Sequence, residues 1–491
     1  MHRRMPEIII SIILLIVSDL AATNVTSELA SWLTDVQLAD IPAEVRARAA
    51  HILLDGVGCA LVGARLPWSD AATAAICALE GVGSSPLIGR GQTTSPSAAA
   101  LLNSSYIQGF ELDDYHPVAP VHGAAIVLPA MLAAADHAGA PTGAKFLLGA
   151  IRGFEVGPRV GLALHGAQML TRGWHSGPVF GGPAAAAAVG TLYGLDAEGF
   201  EDALGLAATQ ACGLMAAQFG SMGKRMQHGF AARNGLLAAT LAAGGYTGIK
   251  GVFEREYGGF LSTFGEGHDP DASQISADLG ERWETSVIAV KPYAAMAGLH
   301  AAIDAARKLL AEGALDPEEV TAVDIFVSEP AFHHGGWRAE RPLEGVGAQM
   351  NLAYAVAVTL LDGTALAAQF APERIEADDV WALIERTTAR HETAFDERYE
   401  DGYNTRLEVT LRGGAKRTSF IENPRGGLQH PLTNSDVVEK FHVLADPLVG
   451  AEHAGEIEHA VLSLESQGNI AGLTELLAGS ARPLFTSGAA R

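Results

Sequence analysis

Lys224, Arg225, His228 and Arg233 crowd into the stretch QFGSMGKRMQHGFAARNG, residues 218–235, of a chain whose formal net charge is -23. Gly220, Gly223, Gly229 and Gly235, with Ala231 and Ala232, surround them. A helix opening near Gly223 places Lys224 and His228 on one face, which Ala231, Ala232 and Gly235 continue. Small residues on that face let backbones approach, and cations in the first turn add to the positive end of the helix dipole. Such a corner suits a small anion carrying several carboxylates. The same residues also read as a solvated basic helix end, and charge pattern alone does not separate the two.

Three further stretches carry imidazoles. ELDDYHPVAPVH (111–122) packs acids, Tyr115, His116 and His122 into a Pro-interrupted loop ahead of a helix. His122 falls in the first turn of that helix, where the dipole disfavours an imidazolium. His175 stands in GWHSG before another helix, and His333 and His334 follow a predicted strand. The spacing of His116 and His122 is not that of a metal site, and no HExxH occurs, so no metal is expected. Neither a dinucleotide nor a P-loop fingerprint is present. A GxSxG elbow is missing too, and nothing besides Lys224 points to a pyridoxal cofactor. The residues therefore point to acid–base chemistry on a small anion without a cofactor.

The surrounding chain must be large enough to hold these loops. At 491 residues, with 48% hydrophobic and 18% charged positions, it reads as soluble and globular with more than one domain. Its acidity argues against nucleic acid as a partner, because phosphates would be repelled. Cys59, Cys77 and Cys212 are odd in number and far apart, so neither a disulfide framework nor a cluster-binding set is expected. Arg3 and Arg4 precede an apolar run over 8–17 and small residues after it, a signal-like start too short to span a bilayer, which needs ~20 residues. We treat 1–23 as an extension outside the fold. A cytoplasmic location is expected for the rest, with the secretory route left open by that start.

From 24 to 289 the pattern is mainly helical, with Pro42 and Ser95 opening two helices and Thr142 and Pro183 near the starts of two more. A Pro at 129 predicts a kink in the run 121–137. After 289 the composition changes. EVTAVDIFV (319–327) alternates as a strand, and 406–411 with 416–421 reads as a hairpin through Gly413 and Gly414. Helices return from 435. The expected fold is mainly α, with an α+β domain over 290–430 inserted into a helical domain built from 24–289 and 431–491.

Taken together, ELDDYHPVAPVH, GWHSGPVFGGPAAAA, GKRMQHGFAARNG, REYGGF and KPYAAMAGLH resemble the MmgE/PrpD family, and within it the fungal cis-aconitate decarboxylases. The likeness runs from about residue 27 to the C-terminal helices. It implies a large helical domain, a smaller lid, an active site between them and a homodimer. Carried over by motif, it implies His122, His175, Lys224 and Tyr354 as catalytic residues, with Asp113, Asp114, Tyr115, Arg225 and His300 binding substrate. The implied reaction is cofactor-independent decarboxylation of cis-aconitate, or an alkyl-aconitate, to itaconate. Dehydration of 2-methylcitrate is the alternative within the family, and a non-catalytic binding or scaffold protein is the third reading. Met296 departs from the family pattern in KPYAAMAGLH, where relatives carry His or Cys.

Overall fold

The structure is a computed structural model that describes residues 24–218, 221–313, 315–396 and 404–485. The signal-like start and Gly220 lie outside the described residues. Alanine and glycine set how the helices pack. The helix Ser176–Tyr193 carries GGPAAAAAVG and is buried along nearly its whole length against Gly143–Ala163 and Gly223–Ala243. A Cβ on Gly235 would lie 2.4 Å from Ala185 Cβ and 2.6 Å from Gly182 O. One on Gly229 would lie 2.4 Å from Leu101 O, in the helix Pro96–Ile107. Only glycine allows those two approaches, which seat Gly223–Ala243 between two neighbours and so fix where its first turn points.

Caps end these helices where the sequence indicates. Ser95 Oγ accepts from Ala98 N–H at 3.1 Å, and Thr142 Oγ1 from Lys145 N–H at 3.2 Å. The helix Gly123–Ala134 continues through Pro129, in a chain that was expected to kink there. All of its residues are buried, and it packs against Pro96–Ile107, Ser176–Tyr193 and Gly223–Ala243. At the far end of the chain, Asn434–Val449 lies on Ala43–Gly63. There Lys440 Nζ meets Asp55 Oδ1 at 2.6 Å inside the protein and also donates to the Leu112 carbonyl. The C-terminal helices thereby hold the acid-rich loop in place.

The smaller domain is built on a four-stranded sheet in the order Thr387–His391, Val320–Val327, Thr405–Leu411, Lys416–Ile421. The first pair is parallel and the others antiparallel. Val320, Val323, Ile325 and Val327 are the buried positions of its central strand, the alternation visible in the sequence. Gly413 and Gly414 turn the hairpin at φ +89° and +86°. The strand Thr387–His391 was not foreseen; apart from Ala389 its residues are charged or polar and mostly exposed, so it carries no apolar alternation. The chain is mainly helical with a smaller sheet-containing domain, as expected. Among the described residues no single helix is long and apolar enough to cross a membrane.

Candidate active site

The acid-rich loop begins where Glu111 adopts a left-handed conformation, φ 55°, just after the turn Gln108–Phe110. That turn aims its carboxylate at the first turn of Gly223–Ala243. Lys224 Nζ and Arg225 Nη1 both donate to Glu111 Oε1, and Lys291 Nζ lies 2.9 Å from Oε2. Lys291 also reaches Asp113 Oδ1 at 3.4 Å, and the other Asp113 oxygen lies 2.9 Å from His122 Nδ1. A two-residue ladder, Asp114 with Val290 and Tyr115 with Ala289, brings Lys291 beside the loop. Three cations and two carboxylates thus form one buried chain that ends at His122.

Electrostatics follow from that burial. Burial opposes the charge on Glu111, yet Lys224, Lys291 and Arg225 outweigh it and hold the carboxyl well below its usual range. Burial likewise opposes the charge on Asp113, where His122 and Lys291 prevail and bring it down to about 2. Burial pulls the Lys224 ammonium down to about 8, with Glu111 limiting the fall. Arg225 sits one layer deeper: its Nη2 donates to Gln349 Oε1 at 3.0 Å, and Gln349 Nε2 donates to Phe110 O at 2.8 Å. Gln349 belongs to the smaller domain, so this amide ties the lid to the cation cluster.

His175 ends the loop before Ser176–Tyr193 and shares Gln227 with Leu214. Gln227 Oε1 accepts from Leu214 N–H at 2.9 Å and lies 2.9 Å from His175 Nδ1. An amide oxygen cannot donate, so Nδ1 carries the proton and Nε2 keeps a lone pair. Burial, with Lys224 nearby, lowers this imidazole to about 3, which makes it neutral in the free protein. His228 is fully buried between the two, each ring edge-on to it with centroids 4.8 Å apart. Burial and the neighbouring imidazoles and Lys224 keep it neutral as well.

One cavity joins these groups. Glu111, Tyr115, His122, His175, Lys224 and Lys291 line it from the helical side and the domain junction. Met296, Pro330, Ala331, His334 and Met350 line it from the lid. Of the residues expected at the site, His122, His175, Lys224 and Tyr115 reach the wall, and Asp113 and Arg225 stand directly behind it. The structure does not bring Asp114, His300 or Tyr354 there. Asp114 accepts from Gly123 N–H at 2.8 Å and Ala124 N–H at 3.0 Å, acting as the cap of that helix from a distance in sequence. His300 Nε2 is held 3.0 Å from Ala295 O, and the Tyr354 hydroxyl donates to Gln369 O. Glu111 and Lys291 were not singled out as site residues. The signal was present: buried cations at this density demand a carboxylate, and Glu111 opens the very motif that supplied His122. Among the described residues no group of three or more His, Cys, Asp or Glu side chains is arranged to hold a metal ion.

The model of the MmgE/PrpD N-terminal domain matches residues 27–273, and that of the MmgE/PrpD C-terminal domain matches 293–466. The chain belongs to the MmgE/PrpD family. Among its curated MmgE/PrpD relatives, the cis-aconitate decarboxylase-like protein oryM of Aspergillus oryzae is 44% identical over 93% of this chain and 98% of its own length. A cis-aconitate decarboxylase of Aspergillus terreus is 42% identical over 93% of this chain and 96% of its own. The human cis-aconitate decarboxylase is 27% identical over 80% of this chain and 81% of its own. In this member the junction between the two matched domains, 274–292, contains Lys291, a central cation of the cavity.

Proposed function

We propose that this protein is a carboxy-lyase that converts cis-aconitate, or a closely related alkyl-aconitate, to itaconate and carbon dioxide without a cofactor. The observation that carries it is the cavity in which Lys224 and Lys291, held by Glu111, face the Asp113–His122 pair. The names of the fungal relatives, similar over nearly the full chain, support the same reaction.

The chemistry fits those groups. The bond between the carboxymethyl carbon and its carboxylate breaks, and its electron pair forms the new terminal double bond. The old alkene pair moves to the far carbon, next to a carboxylate that shares the charge as a dienolate. One proton at that carbon completes itaconate. Lys224 and Lys291 hold carboxylates and stabilise the developing charge. His122 is the proton donor in this proposal: Asp113 Oδ2 lies 2.9 Å from Nδ1, and Nε2 has no partner among the described residues. His175, neutral with Nε2 as an acceptor, is less suited to donate. That feature favours a second reading, in which His175 removes a proton and His122 assists loss of hydroxide in dehydrating 2-methylcitrate. A homodimer remains part of the proposal.

Proton NMR of the full chain with cis-aconitate, without added metal, tests it. Vinylidene protons of itaconate are expected, and 2-methylcitrate is expected to stay unchanged. An unchanged cis-aconitate spectrum from folded protein would overturn the decarboxylase reading in favour of the dehydratase. The pH dependence has a direction too. Lys224 holds a carboxylate only as the ammonium, so kcat/KM should be full below about 8 and fall above it as Lys224 loses its proton. Lys224→Arg keeps its charge, so the alkaline limb should move up by a unit or more even if kcat drops. An unmoved limb would remove Lys224 as its cause.

A further inference from the structure

The lid side of the cavity is apolar but for one side chain. Beyond residue 292, the cavity is lined by Met296, Ala297, Gly298, Pro330, Ala331 and Met350, and by His334. His334 lies in the last turn of the short helix Glu329–Gly335, which follows the central strand of the lid. That helix is seated firmly: a Cβ on Gly335 would lie 3.0 Å from Leu299 Cδ1 and 3.3 Å from Leu352 Cγ. The His334 Nδ1 is buried and has no hydrogen-bond partner among the described residues. A buried polar atom left without a partner is costly, and since Nδ1 is shut off from solvent, Nε2 is the ring nitrogen that can meet what enters the cavity.

Charge points the same way. Lys224, Arg225 and Lys291 oppose Glu111 and Asp113, which leaves one net positive charge, or two with His122 protonated. A tricarboxylate brings three negative charges. The cations all sit on the helical side and the junction, so among the lid side chains of the wall a carboxylate meets only apolar ones, apart from His334.

We infer that His334 is the lid's carboxylate subsite, donating an imidazole N–H to a carboxylate that the helical-side cations do not reach. The inference rests on the tricarboxylate reading of the cavity. Burial, and then His333 beside it, lowers the imidazole, so the free site stays neutral until an anion enters. Because this contact is made in ground state and transition state alike, it sets affinity and specificity rather than turnover. It makes the lid selective for a third carboxylate.

The test is calorimetric binding of three unreactive ligands: propane-1,2,3-tricarboxylate and its 1,2- and 1,3-dicarboxylate relatives. His334→Gln should weaken the tricarboxylate roughly 10- to 100-fold, the range of a charge-assisted hydrogen bond. At least one dicarboxylate should bind unchanged, and KM for cis-aconitate should rise with kcat within about threefold. His333→Gln, on the same helix but outside the cavity wall, should weaken none of the three ligands. His334→Asn serves if the glutamine variant does not fold. Unchanged tricarboxylate affinity, or equal weakening of all three ligands, would overturn the inference. A wild-type protein that binds none of the three would overturn the tricarboxylate reading beneath it.

Discussion

Asparagine in place of His122 is expected to lower kcat on cis-aconitate by ~10²–10⁴-fold, the usual worth of a general acid, with the fold intact. The expectation follows from what the imidazole touches. Asp113 is buried, held to about 2, and its Oδ2 lies 2.9 Å from Nδ1. Asparagine can offer an amide N–H to that oxygen, so the buried carboxylate keeps a partner and the protein should not unfold. What disappears is the group that can carry a proton to the far carbon of the dienolate. NMR rates of itaconate formation measure kcat, and binding of propane-1,2,3-tricarboxylate checks that the site survives. Turnover within threefold of wild type would remove His122 as donor. The same substitution at His175 should cost less, because burial and Lys224 lower that imidazole to about 3 and its Nδ1 proton is committed to Gln227.

Glu111→Gln should destabilise the protein by ~3–5 kcal/mol, the cost of breaking a buried charge cluster by removing one partner. Lys224, Arg225 and Lys291 all meet this carboxylate, and their side chains are almost wholly enclosed. A neutral amide would leave two carbonyl lone pairs for three cations. Against a total stability of ~5–15 kcal/mol, that loss should appear as a lower denaturation midpoint and poor soluble yield. Lys224 would also lose the partner that limits its fall, so its ammonium would be given up at lower pH and activity lost with it. Removing one cation together with the anion, as in E111Q combined with Lys224→Met, should restore part of the stability but none of the activity. Equal midpoints for wild type and E111Q would show that the cluster is not held by Glu111.

Much of this was legible in the chain. The Gly- and Ala-rich helices, the strand 319–327 and the hairpin through Gly413 and Gly414 are local patterns; the strand and hairpin appear within a residue or two of their expected places, while the helix expected to start near Pro183 begins at Ser176 and runs through that proline. Lys224, His122 and His175 were each visible because a cation or imidazole beside glycines and prolines at a helix start is unusual. Thr387–His391 was not visible, since a polar edge strand carries no period of its own and is fixed by its neighbour.

The chain by itself determined the family, the helical majority with its inserted sheet, and the presence of several basic and imidazole groups near helix starts. Those are properties of residue type and spacing along one dimension. Tertiary structure alone decided which of them meet. Glu111 became the hub because a left-handed turn points it across 113 residues to Lys224. Asp114 became a cap, since its oxygens meet the free N–H groups of Gly123 and Ala124 before any ligand can. Tyr354 and His300 turned to backbone carbonyls. A buried polar group takes the partner within reach, and what is within reach is set by how helices distant in sequence pack.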